Sequence, residues 1–533
     1  MLPCIRTRTA FWLTALALLP ACASLGAAEG EDLAGILGLQ LRGGPPTTAQ
    51  FKDIRLKRLA MSDAPGAAAQ PGRPGRVAPC LFYKARTSGN MWDTWLYQHA
   101  GIYYLYYLCR GPKNWDAFAM AESADGVSWR EIGYILKKRE DAVWMGTGST
   151  WRSPQAPQDK RFFLNFSEWR GNQQTIFFAE SADLVHWNRL GDELEFKPDP
   201  RWYNVNQGNG SRWDCIWTIP RPGGGLYGYW TATPKPETGG RFGFGQSTDG
   251  VKWESLEPPK VDGADAGEVG AIEKIGSRYY LMFGSRGEMI TLTADQPTGP
   301  FRAAAKNRAL LSGNTYFSRF LRTGEDLLVN HHTIAQNREV FFAPLKLAVV
   351  DEEGTLRLKW WKNNDRLKQH EVVVQMPQAS DNSRPELLGN TFDVQGGLVM
   401  EGVVSMPSPG GSPVGLYLPY APDAGVAILI ASGGRTRLGE MKPDGSDFKA
   451  KTEVDRGLAF GAATRFRLLL KGSLLEFYLE DHLIQCWRLP QNSSGRVGLV
   501  GGREIRDVKV WQCEEAAPPK AASMSRSANI IPS

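Results

Sequence analysis

The sequence predicts an all-β protein: a five-bladed β-propeller followed by a jelly-roll-like β-sandwich. Three observations carry this reading. A nine-residue pattern ending in Trp recurs three times through the middle of the chain. Each copy follows alternating aromatic stretches. The composition, with 58 Gly and 34 Pro beside 18 Trp, 16 Tyr and 23 Phe, suits aromatic strands joined by many turns.

The chain has 533 residues, room for two to four domains at ~100–200 residues each. Its net charge of +6 is weak for this length. No block of five like charges occurs, which argues against a nucleic-acid partner. Residues 1–28 have the layout of a signal peptide. Arg6 and Arg8 form a basic start, followed by an apolar run from Ala10 to Leu19 that Pro20 ends. The run is too short to span a bilayer, and no later apolar stretch is long enough. The expectation is export to the periplasm or beyond. Leu19-Pro-Ala-Cys22 resembles a lipobox, which would put a lipid anchor on Cys22 and make the chain an outer-membrane lipoprotein. Residues 29–60 have the form of closing sandwich strands, and 61–79 form a Pro/Gly/Ala linker. The seven Cys include no CxxC pair and no Cys/His ligand spacing, which argues against zinc. Cys486 and Cys513 are either a disulfide or two buried thiols.

The repeat reads Ala121-Glu-Ser-Ala-Asp-Gly-Val-Ser-Trp129, Ala179-Glu-Ser-Ala-Asp-Leu-Val-His-Trp187 and Gly245-Gln-Ser-Thr-Asp-Gly-Val-Lys-Trp253, with a degenerate copy at Leu292–Phe301. Asp-Gly or Asp-Leu makes a tight turn, and the Trp after it packs between neighbouring sheets. A fifth strand set, Asp326–Asn330 with Glu339–Phe342, lacks the turn. Five units over 80–360 make a propeller whose first strands line a central funnel. Residues 361–385 read as a connector, 386–513 as the sandwich, and 514–533 as a polar tail.

Three acids fall in the first strand of their units: Asp93 in blade one, Asp214 in blade three and Glu268 in blade four. All three are expected in one slot facing the funnel. Carboxyls gathered there raise at least one pKa. Glycosidic cleavage uses such a set, with one acid holding a proton and another ionised.

Asp93 with Gly101 and Tyr-Tyr-Leu beyond it resembles the first motif of glycoside hydrolase family 43 and the related family 32. Asp214-Cys-Ile is similar to their third-blade motif, and Glu268-Val-Gly-Ala-Ile to their fourth. Gly146-Thr-Gly-Ser-Thr-Trp151 resembles the blade-two segment of family 32. The resemblance covers 80–360. It implies Asp93 as nucleophile or general base, Glu268 as general acid, and Asp214 as the residue that holds substrate and tunes the acid. Trp92-Asp93-Thr94, the Arg212-Trp213-Asp214 spacing and Glu268-Val269 all depart from family 32, so sugar specificity does not carry over. Trp92, Trp95 and Trp151 are expected to stack on sugar, and Arg212, Arg286 and His331 to bind it. The resemblance leaves room for a calcium ion in the funnel and implies no other cofactor or metal. The leading function is an exported glycoside hydrolase acting on oligo- or polysaccharide. The alternatives are a non-catalytic carbohydrate-binding propeller and a glycoside phosphorylase, which needs a cationic phosphate cradle.

Overall fold

The computed structural model describes residues 77–110, 115–156, 158–205, 211–311, 314–377 and 384–513. The expectations for residues 1–28, 29–60 and 514–533, for Cys22 and for most of the 61–79 linker lie outside the described residues. No described helix is long and apolar enough to cross a membrane.

Blade one is the antiparallel sheet Trp92–His99, Ile102–Arg110, Trp115–Ser123, Arg130–Lys137. In blade two the inner strand comes in two pieces, Ala142–Met145 and Ser149–Arg152, both paired with Phe162–Arg170. Gln173–Ser181 and Asn188–Arg189 follow. Blade three is Trp213–Pro220, Leu226–Ala232, Gly243–Ser247, Glu254–Leu256. Blade four is built on Glu268–Ile275, Arg278–Ser285, Glu288–Ala294 and Phe301–Ala303. Thr315–Thr323, Asp326–Ile334 and Val340–Phe342 make blade five. The inner strands neighbour one another cyclically, blade five returning to blade one. Tyr83 completes the ring. Its N–H donates to Phe342 O at 2.9 Å, and the Phe342 N–H returns the bond at 2.8 Å. A chain segment preceding blade one thus clasps blade five.

The repeated turn is held as its residue types require. Ser123 Oγ accepts the Gly126 N–H, and Asp125 Oδ1 accepts the N–H groups of Val127 and Ser128. The Ser181/Asp183 and Ser247/Asp249 turns repeat these bonds. The residue after the Asp is left-handed in all three, with φ of +73° at Gly126, +67° at Leu184 and +87° at Gly250. Leu184 is therefore the strained copy, at a cost of about 1–2 kcal/mol. Trp129 and Trp187 are buried; Trp253 is half-buried and meets Trp151 edge-on at 6.0 Å.

The hairpin Lys346–Val350 / Leu356–Trp360 leaves blade five and pairs with the sandwich at Lys359–His482, so one sheet runs through both halves. That sheet continues as His482–Arg488, Leu474–Leu479, Ala463–Lys471, Leu398–Ser405 and Ile505–Gln512. His370–Val372, inside the segment expected as a connector, adds a strand to it. The facing sheet is centred on Val414–Ala421 and Ala424–Ile430, and Leu416, Ile428, Leu468, Phe477 and Ile484 fill the space between. Cys486 and Cys513 are free and buried, which removes the disulfide alternative.

The junction between the halves contains a buried ionic cluster. Lys346 Nζ donates to Glu476 Oε1 at 2.5 Å and to Pro344 O at 2.7 Å. Tyr478 OH donates to Glu476 Oε2 at 2.6 Å.

A candidate active site at the propeller funnel

The inner strands are not regular. Blades one, three and five each carry a β-bulge near the start, where two residues oppose one. The extra pairs are Asp93-Thr94, Cys215-Ile216 and Phe317-Ser318. Asp93, Cys215 and Phe317 take left-handed backbones, with φ of +46°, +46° and +51°. Asp93 therefore corresponds to Cys215, and Asp214 corresponds to Trp92. The expectation of a common slot is corrected by one residue. Strand alternation alone would send residues of odd offset to opposite faces. The bulge re-aims the side chain, so Asp93 and Asp214 still converge.

The convergence is electrostatic as well as geometric. Arg212 Nη1 donates to Glu268 Oε1 at 2.7 Å, and Arg212 Nη2 donates to Asp214 Oδ2 at 3.3 Å. Ser167 Oγ donates to Asp214 Oδ1 at 2.7 Å. Gly146 is required here, because a Cβ would stand 2.2 Å from Ser167 Oγ and 2.6 Å from Asp214 Oδ1. Burial, and next the charge of Glu268, push the Asp93 carboxyl well above its usual range. Arg319 opposes the rise, Asp214 adds to it and Arg212 opposes it again. Burial also raises Asp214, against the pull of Arg212 and the Ser167 hydroxyl. Three carboxyls share this space with the guanidiniums of Arg212 and Arg319. Burial favours a proton on Asp93. Such a set can donate a proton and also supply an ionised carboxylate.

Arg319 forms the floor. It is wholly buried. Its guanidinium donates to the Gly270 carbonyl and reaches Gly148 O at 3.4 Å, and it lies over the Phe317 and Trp217 rings. Its Nε has no hydrogen-bond partner. His332 stands beside Asp93: its Nδ1 accepts the Asp93 N–H at 3.2 Å, and the Trp92 ring lies 4.5 Å from its own. Burial pushes His332 down to about 3. Tyr316 meets His332 from blade five, and burial and the neighbouring Glu268 raise its hydroxyl. His332, Arg319, Tyr316 and Ser167 are site residues that no sequence motif marks. Tyr316 and Arg319 could be found only by aligning the inner strands through the bulges, and Ser167 and His332 only by pairing those strands with the next ones out.

Several expected contacts fall elsewhere. Trp95 is wholly buried, stacked on Tyr106 at 5.4 Å with Nε1 donating to Thr150. Trp151 is buried against Phe178 and Trp253. Both serve the packing between blades: Trp95 follows the Asp93-Thr94 bulge, and Trp151 lies in the second piece of the broken blade-two strand. His331 faces away from the funnel, with Nε2 lying 3.6 Å from Glu476 of the sandwich; its neighbour His332 takes the funnel side. Arg286 is 79% exposed at a hairpin tip and pairs with Asp265 at 2.6 Å. Trp92 is half-buried between His332 and Trp115, beside Asp93. His331, Glu476 and Cys486 lie close enough for a metal, but the Lys346 ammonium already neutralises Glu476.

No protein-family model and no curated protein sequence matches the chain. Solved structures do match its fold. The chain is similar to a family 32 β-fructofuranosidase from Bombyx mori at 13% identity and a TM-score of 0.63, over 83% of this chain and 95% of that one. It is similar to sucrose-6-phosphate hydrolase from Lactobacillus gasseri at 12% and 0.62, over 83% and 94%. An exo-inulinase from Aspergillus awamori matches at 12% and 0.61, over 82% and 99%. The five-bladed propeller with an attached sandwich is the architecture of these glycoside hydrolases.

Proposed function

We propose that the chain is a glycoside hydrolase working at the Asp93, Asp214 and Glu268 cluster. One observation carries the reading: Arg212 bridges Asp214 and Glu268 across two blades, while burial and then the charges of Glu268 and Asp214 push up a third carboxyl, Asp93, on blade one. Hydrolysis breaks the bond between the anomeric carbon and the leaving oxygen. That oxygen takes a proton from one carboxyl, and water's hydroxyl ends on the anomeric carbon. In the assignment implied by the family resemblance, Glu268 gives the proton and Asp93 attacks directly or activates water. Asp214, fixed by Arg212 and Ser167, holds substrate and tunes the acid. Because burial favours a proton on Asp93 in the free enzyme, this assignment requires that proton to pass to Glu268 as substrate enters, leaving Asp93 ionised.

The fold neighbours favour fructans as the first substrates to try. One neighbour is bound to sucrose, another to 1-kestose and a third to fructosylnystose. The test is a panel of fructans with aryl arabinofuranosides, xylosides and galactosides, run on the native chain, Asp93→Asn and Glu268→Gln. Loss of nearly all turnover in both variants, with folding intact, supports the assignment; full activity in either removes it. A Glu268→Gln deficit that shrinks for activated leaving groups identifies Glu268 as the acid. Turnover that depends on added phosphate would instead mark a phosphorylase. The basic, apolar start of the sequence supports export, which N-terminal sequencing of the mature protein from an envelope or medium fraction tests.

A further inference from the structure

Two of the three tryptophans expected to stack on sugar are locked in the core, yet another pair lies open beside the site. Trp144 precedes Gly146 by two residues, and Trp169 follows Ser167 by two. Their rings stack at 5.7 Å and 23°. Both are partly exposed, and adjacent Val143 is 57% exposed. Their position relative to the acids is fixed by the backbone: the Gly146 N–H donates to Ser167 O at 2.8 Å, and Ser167 Oγ holds Asp214. At ~3.3 Å per residue, Trp169 starts about 7 Å along the strand from Ser167. That is on the scale of one or two sugar rings away from the carboxyl cluster. Two stacked indoles at a surface cover each other's inner faces but leave outer faces and edges partly in water, apolar area that an amphipathic ligand with a flat C–H face would cover.

We infer that Trp144 and Trp169 form a stacking platform for sugar units beyond the scissile bond, so that the substrate is an oligo- or polysaccharide chain running over the end of blade two. The inference rests on the glycosidase reading and adds to it the residues that hold the substrate's further units.

The test uses the full chain carrying Glu268→Gln, to spare bound glycan, in native gels cast with inulin, arabinan, xylan or galactan. At least one polysaccharide is expected to retard migration. Adding Trp144→Ala with Trp169→Ala weakens that retardation about tenfold, and the corresponding Phe pair recovers most of it. If the double Ala variant does not fold, as judged by melting temperature, Trp144→Gln and Trp169→Gln singly carry the same comparison. Unchanged retardation in the Trp variants overturns the platform. If no polysaccharide retards the chain while the native protein turns over an aryl monoglycoside, the platform falls and the glycosidase reading stands. Retardation that depends on these Trp residues, in a protein that hydrolyses no glycoside, removes the glycosidase reading and keeps the platform.

Discussion

The backbone N–H of Asp93 donates to Nδ1 of His332 at 3.2 Å, tying the bulged start of blade one to the middle strand of blade five. Because Nδ1 accepts, the ring's proton sits on Nε2, and burial keeps the ring neutral, at about 3. His332 thereby supports an Asp93 backbone at φ +46°.

His332→Leu removes the acceptor and should lower kcat about ten- to a hundredfold, with KM changed far less. His332→Asn, whose side-chain oxygen can accept the same N–H, should restore much of the loss. Steady-state kinetics on any hydrolysed glycoside checks this.

The same histidine makes a stability prediction. Its folded pKa lies below its unfolded value of ~6.5. Its contribution is therefore complete above that pH and drains away as pH falls toward about 3. His331, also held well down by burial, acts in the same direction. Denaturant midpoints should fall more steeply between pH 6.5 and 4 in the native chain than in His332→Asn.

Asp93 has the opposite sign. Its folded pKa is raised, so the native state is favoured below the unfolded value and loses stability as pH climbs toward the folded one. Asp93→Asn cannot ionise. It should melt higher than the native chain at pH 7, by about 1 °C for each kcal/mol released in a unit of this size, and the difference should vanish near pH 3.5. A lower melting point at neutral pH would contradict the burial argument.

Arg319 pulls the Asp93 carboxyl down from the funnel floor. Arg319→Gln should move the acidic limb of kcat/KM to higher pH, while Arg319→Lys, which keeps the charge, should hold it near its native position. A uniform drop in rate with an unmoved limb would assign Arg319 to packing alone.

At the junction, Lys346→Met strands the Glu476 carboxylate in a wholly buried place, at a cost of about 3–5 kcal/mol. Pairing it with Glu476→Gln should return most of that loss, as measured by chemical denaturation.

Much of this arrangement was legible in the sequence, because it follows from local periodicity. The Ser-x-Asp turns and the Trp after them report directly on blade spacing. The inner-strand positions of Asp93, Asp214 and Glu268 follow from each preceding an aromatic strand. The roles of individual neighbours were not legible. Trp95 points into the sheets after the two-for-one bulge at Asp93-Thr94, Trp151 lies in the second piece of a broken inner strand, and His331 stands opposite the Phe317-Ser318 bulge, which leaves His332 beside Asp93. Such a bulge leaves no composition signal. Arg319 reads as an ordinary strand arginine until blade five is set beside blades two and four. Trp144 and Trp169 carry no sequence signal because they belong to a broken inner strand and its partner rather than to a repeat.

The shared sheet through Lys359 and His482 bears on how the molecule moves. Backbone bonding across that seam resists hinge bending between the two halves, so access to the funnel is left to side chains and loops around a stiff frame. Excising the sandwich would bare a strand edge at Trp360 and strip Lys346 of its counterion in one cut. The funnel-bearing half would then be sticky rather than self-sufficient.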